Sequence, residues 1–262
     1  MNFEFSEEQH LLRQQAQTFL RDKASPAHVR AILDGEESFD QALWRDMAEL
    51  GWTATTIPET FGGLGLSHLE LCVLAEELGR SLAPTPFSSS VYLATEALLL
   101  YGNKTQQQRY LPALASGELI ACYAVAEGPK PVTPANLATR VHHGALSGAK
   151  VPVADGDVAD MAIVLAHDGS GHASLFISDL RGDGVTRTRV ETLDPARSHA
   201  ELTFEQAPIE RLGDDGQGWR HNEALFDRAA VLFAFEQVGL PSNGPSRGTC
   251  SMASLRHPPK RS

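Results

Sequence analysis

The chain has few cysteines and no long apolar run. Only three of its 262 residues are cysteines, at positions 72, 122 and 250, and they form no CxxC pair. This argues against a disulfide framework or a structural zinc site and is typical of a reducing compartment. No apolar run reaches the roughly 18 residues of a membrane-spanning helix. The start, MNFEFSEEQH, lacks the features of a secretory signal, so we expect a cytoplasmic protein without a membrane partner.

The chain also has fewer basic residues than acidic ones. The chain has 22 Lys and Arg against 33 Asp and Glu, which gives a formal net charge of −11. An acidic surface repels the phosphates of nucleic acids and of anionic membranes, so we expect neither as a partner. A polyanionic cofactor is still compatible with this charge, because helix N-termini and local hydrogen-bond donors can bind it.

The first part of the chain has the period of amphipathic helices. Capping residues, a proline at the first helical position and terminal glycines set the helix bounds. Glu76 and Glu77 are neighbours on one predicted helix and do not face one another, so we expect them to face solvent. The pattern predicts six helices that begin after Ser6, Ser25, Asp40, Ser67, Ser88 and Thr105, with the last four ending at Gly51, Gly79, Gly102 and Gly117.

The period then changes to that of short strands broken by Gly, Asp and Pro. Asp168-Gly169-Ser170-Gly171 is predicted to be a hairpin turn. Neighbouring residues on a strand point to opposite faces, so His142 and His143 cannot chelate one ion, and we expect no metal site. The predicted strands cover residues 119–126, 138–147, 160–166, 173–179, 184–190 and 199–205, and a helix follows at 219–238.

These elements predict an α+β fold. We expect an N-terminal all-α helical domain over residues 1–117 and a middle antiparallel β-barrel domain over 118–213. Residues 214–239 are interpreted as the first helix of a C-terminal helical bundle. Residues 240–262 hold basic residues but no acidic ones and are rich in Pro, Ser and Gly. They have too little apolar surface to offset the entropy of ordering, so we expect a disordered basic tail.

Several segments resemble the acyl-CoA dehydrogenase family. Residues 58–65 read PETFGGLG, similar to the family's proline-glutamate…glycine-glycine-x-glycine signature. Taken alone, this segment is typical of an ordinary loop, since its three glycines permit positive φ. WRDMAELGW precedes this segment and LCVLAEELGR follows it, as in the family. Further along the chain, ELTFEQAPI and LFAFEQVG resemble the end of the family's β domain and the first helix of its C-terminal domain. The ordered set extends from residue 1 to about 239 and is more specific than the glycine motif.

The resemblance implies an FAD flavoprotein that oxidises an acyl-CoA thioester to a 2-enoyl-CoA. In the family, the flavin takes a hydride from the β-carbon while a glutamate takes the α-proton. It also implies an electron-transfer flavoprotein as acceptor and a homo- or hetero-oligomer. The family region that carries this glutamate has no counterpart in residues 240–262. We therefore assign no catalytic residue and interpret the chain as a truncated member.

The resemblance also places the flavin-contacting strands. Ala126 stands where threonine is usual in the first strand, and each lost hydrogen bond to the flavin is worth about 0.5–1.5 kcal/mol. Pro152 has no N–H group with which to replace such a bond. The implied cofactor-binding residues are Tyr123, Val125, Ala126, Pro152, Val153 and Ala154, and Val132 is the implied substrate contact.

Two other functions stay open. The chain could be a non-catalytic subunit that completes a site on a full-length partner. It could instead be an interaction module whose basic tail binds an acidic partner, in which case binding would weaken steeply with salt.

Overall fold

A computed structural model of the chain describes residues 5–192 and 197–239. The predicted tail at 240–262 lies outside the described residues, and its disorder stays a prediction. The N-terminal part is helical, as predicted. Its elements are α1 (Glu7–Lys23), α2 (Pro26–Leu33), α3 (Gln41–Glu49), a short 3₁₀ turn (Glu59–Phe61), α4 (His68–Ser81), a π-helical segment (Ser88–Thr95), α5 (Glu96–Tyr101) and α6 (Lys104–Ala115).

Local capping chemistry sets most of the helix starts. Ser6 and Ser67 each form a complete capping box, and Ser25 and Asp40 accept backbone hydrogen bonds at the starts of α2 and α3. These four predicted starts are confirmed, because a cap needs only residues three or four positions apart.

Two predicted helix boundaries are wrong. Helix α4 continues past Gly79 to Ser81. Gly79 does not end the helix; the absence of a side chain there lets the last helix of the chain pack closely against α4. A Cβ atom at Gly79 would lie 1.8 Å from the carbonyl oxygen of Glu236. Helix α6 begins earlier than predicted, since its cap is Asn103 rather than Thr105.

A buried carboxylate on α4 also departs from expectation. Glu77 was expected to face solvent, but its side chain is 1% exposed. Its Oε2 lies 2.9 Å from Nε of Arg80, and its Oε1 lies 3.7 Å from Nε of Arg13 on α1. The ion pairs offset the cost of burying the charge and join α1 to α4.

The middle part of the chain is one eight-stranded sheet. Its strands are β1 (Ala121–Ala124), β2 (Arg140–His142), β3 (Ala145–Ala154), β4 (Met161–His167), β5 (Ala173–Asp179), β6 (Val185–Arg189), β7 (His199–Pro208) and β8 (Glu210–Leu212). The strand order is β6-β7-β3-β2-β4-β5-β8, and β1 pairs with β4. The predicted hairpin at Asp168 joins the antiparallel strands β4 and β5 and is confirmed.

The predicted fold class is confirmed, with differences in the sheet. Strands β1 and β2 both run parallel to β4, whereas the other pairs are antiparallel. Among the described residues the strand path ends at β6 and β8, so the sheet is not a closed barrel. The segment predicted as one strand at 138–147 turns at His143 and Gly144, which both have positive φ, and forms β2 and the start of β3.

The last helix, α7 (Gly218–Gly239), packs against α4, the π-helical segment and the sheet. Its buried stripe consists of Leu225, Ala229 and Leu232. The apolar segment that begins at Ser88 lies in the interior, and all of Ser88–Thr95 is buried. In residues 5–192 and 197–239, no helix has the length and hydropathy needed to cross a membrane.

Candidate functional site

Two segments that the sequence predicted to contact a flavin lie side by side. The N–H group of Val151 donates to the carbonyl oxygen of Ala126 at 2.8 Å, and Gly128 N–H donates to the carbonyl of Val151 at 2.7 Å. These bonds join the chain beyond β1 to the middle of β3 in a parallel bridge. The backbone therefore holds residues 125–128 and 150–154 next to one another.

A cavity of about 550 Å³ opens where these segments meet α7. Val153 does not line it and is only 1% exposed, because successive side chains of a strand face opposite sides. Six of the seven predicted site residues line the cavity, namely Tyr123, Val125, Ala126, Val132, Pro152 and Ala154.

Three residues of α7 also line this cavity and were missed by the sequence analysis. They are Trp219, Asn222 and Phe226. On the sequence they belong to an ordinary amphipathic helix, and only Asn222 is unusual, as a polar residue that is 6% exposed. A buried asparagine is a signal for a specific polar contact, but the pattern does not reveal its partner.

Tyr123 fixes α7 against β1. Its hydroxyl group donates to Oδ1 of Asn222 at 3.2 Å, and its ring meets that of Phe226 edge to face, with centroids 5.9 Å apart. Burial raises the pKa of Tyr123, so the hydroxyl stays protonated and can donate. The bond uses the carbonyl oxygen of Asn222 and leaves its amide nitrogen as a donor beside the cavity.

An ion pair lies beneath the same wall of the cavity. Nζ of Lys150, whose side chain is fully buried, is 2.8 Å from Oε1 of Glu127 and 3.1 Å from the carbonyl oxygen of Val125. Glu127 also accepts the N–H groups of Ala138 and Thr139 at 2.7 and 2.9 Å. The pair thus ties the end of β1 to β3.

Burial and hydrogen bonding compete in this pair. Burial raises the pKa of Glu127, but the hydrogen bonds from Lys150, Thr139 and the backbone outweigh it and lower this pKa to about 2. Burial lowers the pKa of Lys150 to about 8 against the opposing effect of Glu127. Both groups are therefore charged at neutral pH.

A second cavity, of about 330 Å³, adjoins the first. The two share Leu93, Ala154 and His199 as lining residues. The second cavity lies between the π-helical segment and α7, and its lining includes Arg197 and Glu236. Nδ1 of His199 lies 3.1 Å from the carbonyl oxygen of Arg197, which can only accept, so this nitrogen carries a proton.

Arg197 organises the polar side of the second cavity. Its guanidinium group forms an ion pair with the carboxylate of Glu236 and donates through Nη1 to the carbonyl oxygen of Thr85 at 2.9 Å. Asp155 is buried nearby and accepts a hydrogen bond from Oγ of Ser89 at 2.5 Å. Burial raises the pKa of Asp155.

The described residues around the first cavity include no carboxylate and no metal-binding cluster. Of the described residues that line it, none is an Asp or a Glu. In the described part of the chain, no group of three His, Cys, Asp or Glu side chains is arranged to hold a metal ion.

Comparison with known proteins identifies the family. Residues 6–118 match the model of the acyl-CoA dehydrogenase N-terminal domain. The chain is 31% identical to acyl-CoA dehydrogenase FadE27 of Mycobacterium tuberculosis, covering 82% of this chain and 58% of FadE27. It is 32% identical to acyl-CoA dehydrogenase IpdE2 of Mycolicibacterium smegmatis, covering 90% and 62%.

Solved structures share the fold. One chain of the ChsE4-ChsE5 complex from Mycobacterium tuberculosis matches with a TM-score of 0.78 and 29% identity, over 91% of this chain and 65% of that chain. The chain spans about 60% of the length of the curated relatives compared above. These matches confirm the resemblance seen in the sequence: the chain belongs to the acyl-CoA dehydrogenase family and carries its N-terminal helical domain, its middle β domain and one further helix.

Proposed function

We propose that the chain forms part of a flavin-dependent acyl-CoA dehydrogenase site, which converts an acyl-CoA thioester to a 2-enoyl-CoA. One observation carries this proposal. The two segments whose sequence resembles the family's flavin-contacting strands meet α7 around a single cavity, although Tyr123, Pro152 and Asn222 are far apart in sequence.

The residues of this cavity fit FAD in character. Its walls are mainly apolar, from Val125, Pro152 and Phe226, and the amide of Asn222 supplies a polar contact. A volume of about 550 Å³ lies in the usual range of ligand sites, which is about 300–1,000 Å³. The threonine hydroxyls of the family are missing, so the flavin would depend more on backbone groups and on Asn222 for its hydrogen bonds. When bound, FAD supplies the hydride acceptor.

The chain's own residues would position the substrate and exclude water. Tyr123, Trp219 and Phe226 line the cavity, and with a substrate bound they would cover part of the reacting thioester, which would strengthen electrostatic interactions there. Lys130 also lines the cavity and offers a positive charge to the phosphates of CoA or FAD. The α-proton would pass to a base from outside the described lining residues, because these include no carboxylate.

The same lack of a carboxylate favours a second candidate function. The chain would then be a non-catalytic subunit that contributes the flavin wall to a hetero-oligomer, while a longer partner supplies the base. The structural similarity to a complex of two proteins, ChsE4 and ChsE5, is compatible with this assembly. In either case an electron-transfer flavoprotein would reoxidise the flavin.

The visible absorption spectrum of the purified chain tests both candidates. We expect a resolved flavin band after addition of FAD, and bleaching of this band by an acyl-CoA under anaerobic conditions if the chain is active by itself. A flavin band that bleaches only after addition of a longer family member would favour the non-catalytic subunit. Failure to retain FAD, alone or with such a partner, would contradict the proposed function.

A further inference from the structure

The lining of the second cavity indicates which acyl groups the site favours. This inference rests on the proposed function, since it assumes that the thioester lies in the first cavity. The two cavities adjoin, since Leu93, Ala154 and His199 line both of them. An acyl chain that extends from the first cavity between the π-helical segment and α7 therefore enters the second one.

The lining of the second cavity is partly apolar and partly polar. Leu93, Ala154 and Phe233 give it apolar sides suited to methylene groups. Elsewhere it is lined by the ion pair of Arg197 and Glu236, with hydroxyl groups also present in the lining. The hydroxyl groups belong to Ser88 and Ser89.

The polar part of this lining disfavours an acyl group that ends in a methyl group. A methyl group there would cover charged groups without replacing the hydrogen bonds that they make to water, which costs free energy. A neutral polar group avoids this cost, because it can accept from the guanidinium of Arg197 and, if it is a hydroxyl, donate to the carboxylate of Glu236.

The charges in the second cavity disfavour an acyl group that ends in a carboxylate. The positive charge of Arg197 is already compensated by Glu236, and Asp155 lies buried beside the arginine. A second carboxylate in the cavity would have no uncompensated cation among its described lining residues and would face Glu236 at short range.

We propose that this site selects acyl-CoA thioesters whose acyl group ends in a neutral hydrogen-bonding group, a hydroxyl or a ketone, placed at Arg197 and Glu236. The ion pair and the serine hydroxyls act as specificity-determining groups. They lie away from the thioester and take no part in proton or hydride transfer.

Calorimetric titration of the full chain with three thioesters of equal length tests this inference. The probes are decanoyl-CoA, 10-hydroxydecanoyl-CoA and the ω-carboxylate analogue. We expect the hydroxy compound to bind about tenfold more tightly than decanoyl-CoA, the effect of one hydrogen bond to a charged group, and the carboxylate to bind most weakly.

Two variants and one control variant sharpen the test. Glu236→Gln removes the negative charge but keeps the shape, so the carboxylate analogue should rise above decanoyl-CoA in affinity. Ser88→Ala should reduce the preference for the hydroxyl. Glu205→Gln, an exposed change of the same chemistry, should leave the order of the three ligands unchanged.

The outcomes separate the two proposals. If decanoyl-CoA binds at least as tightly as the hydroxy compound, the polar specificity is wrong, while the acyl-CoA site stands. If Glu236→Gln leaves the rank of the carboxylate unchanged, the role of the ion pair is wrong. If none of the three thioesters binds, the proposed function and this inference are both overturned.

Discussion

Nζ of Lys150 lies 2.8 Å from Oε1 of Glu127, and the lysine side chain is fully buried. Removal of one partner from such a pair leaves an uncompensated buried charge, which typically costs about 3–5 kcal/mol. We therefore expect Lys150→Met to lower the free energy of unfolding by about that amount, as measured by urea denaturation.

An exposed lysine provides the control for this change. Lys104 begins α6 and is exposed, so Lys104→Met should alter stability by less than about 0.5 kcal/mol. Equal losses in the two variants would show that the buried pair has no special role. A large loss for Lys150→Met alone would support its role in joining β1 to β3.

The low pKa of Glu127 predicts a loss of stability in acid. Its carboxylate has a pKa of about 2 in the folded chain against an ordinary value of 4.5. A lowered pKa stabilises the folded state above pH 4.5, and this contribution disappears as the pH falls towards 2. Between pH 5 and pH 3 the expected loss from this group is about 2 kcal/mol.

Urea denaturation at several pH values, with Glu127→Gln for comparison, isolates this contribution. The variant lacks the titrating carboxylate, so its stability should fall less steeply between pH 5 and pH 3. Parallel curves for the two proteins would mean that other groups cause the acid sensitivity. The variant should also be less stable at pH 7, because Lys150 then lacks its counter-charge.

The sequence predicts what depends on near neighbours and misses what depends on distant ones. The cap at Ser6 is readable because its partner is three residues away. Gly79 was misread as a helix end because its reason for being glycine, the backbone at Glu236, lies far along the chain. Glu77 was misplaced for a similar reason, since one of its partners, Arg13, is on another helix.

The same difference between near and distant contacts applies to the candidate site. The family motifs predicted Tyr123 and Pro152 as site residues because those motifs are continuous in sequence, and both residues line the first cavity. The motifs gave no indication that Asn222 would meet Tyr123, since a buried asparagine on a helix does not identify its partner. The second cavity was also missed, because its ion pair joins residues from the loop before β7 and from the end of α7.

Close helix packing at Gly79 predicts sensitivity to a single methyl group. A Cβ atom there would lie 1.8 Å from the carbonyl oxygen of Glu236, and a Cβ at Gly239 would lie 2.1 Å from that of Glu76. These obstacles are backbone atoms, so α4 and α7 would have to separate. We expect Gly79→Ala to destabilise the fold by about 3 kcal/mol, the upper part of the usual range for overpacking.

A glycine in open space is the matched control for this prediction. Gly169 lies in the turn between β4 and β5, and a Cβ there would meet nothing within 4 Å. Thermal denaturation of Gly79→Ala and Gly169→Ala should show a clear drop in Tm only for the first. A normal Tm for Gly79→Ala would contradict the close contact between the two helices.

The link between α5 and α7 gives a further stability prediction. Glu96 is 4% exposed, and its Oε1 accepts from Nε of Arg228 at 2.6 Å, while its Oε2 lies 3.2 Å from Nε2 of His68. Arg228→Met removes the charged donor but keeps the long apolar stem. Because the arginine is nearly half exposed, we expect a loss of about 1–2 kcal/mol, near the lower end for a charged hydrogen bond.

The control for this prediction is Arg109→Met. The Nη1 atom of Arg109 is 4.0 Å from Glu210, and the arginine side chain is 70% exposed, so its removal should cost less than about 1 kcal/mol. Urea denaturation of both variants at the same ionic strength makes the comparison. An equal effect would indicate that the burial of Glu96 does not strengthen its pair with Arg228.

The contact between Tyr123 and Asn222 connects stability with the proposed cofactor site. Tyr123→Phe removes the hydroxyl group that donates to Oδ1 of the buried asparagine. An unsatisfied buried acceptor costs about 1–3 kcal/mol, and the amide is then free to rotate away from the cavity. We expect a loss of stability in this range and, if FAD binds beside Asn222, a five- to tenfold weaker affinity in a titration followed by flavin fluorescence.

Tyr110→Phe distinguishes a local effect from a general one. The hydroxyl of Tyr110 makes a long bond of 3.4 Å to Glu210, and Tyr110 does not line the first cavity, so loss of this hydroxyl should leave FAD affinity unchanged. If Tyr123→Phe is destabilised but binds FAD as tightly as the wild type, the contact serves the packing of α7 alone. If both measurements are unchanged, the hydrogen bond contributes to neither, since a buried acceptor without a partner would have lowered the free energy of unfolding.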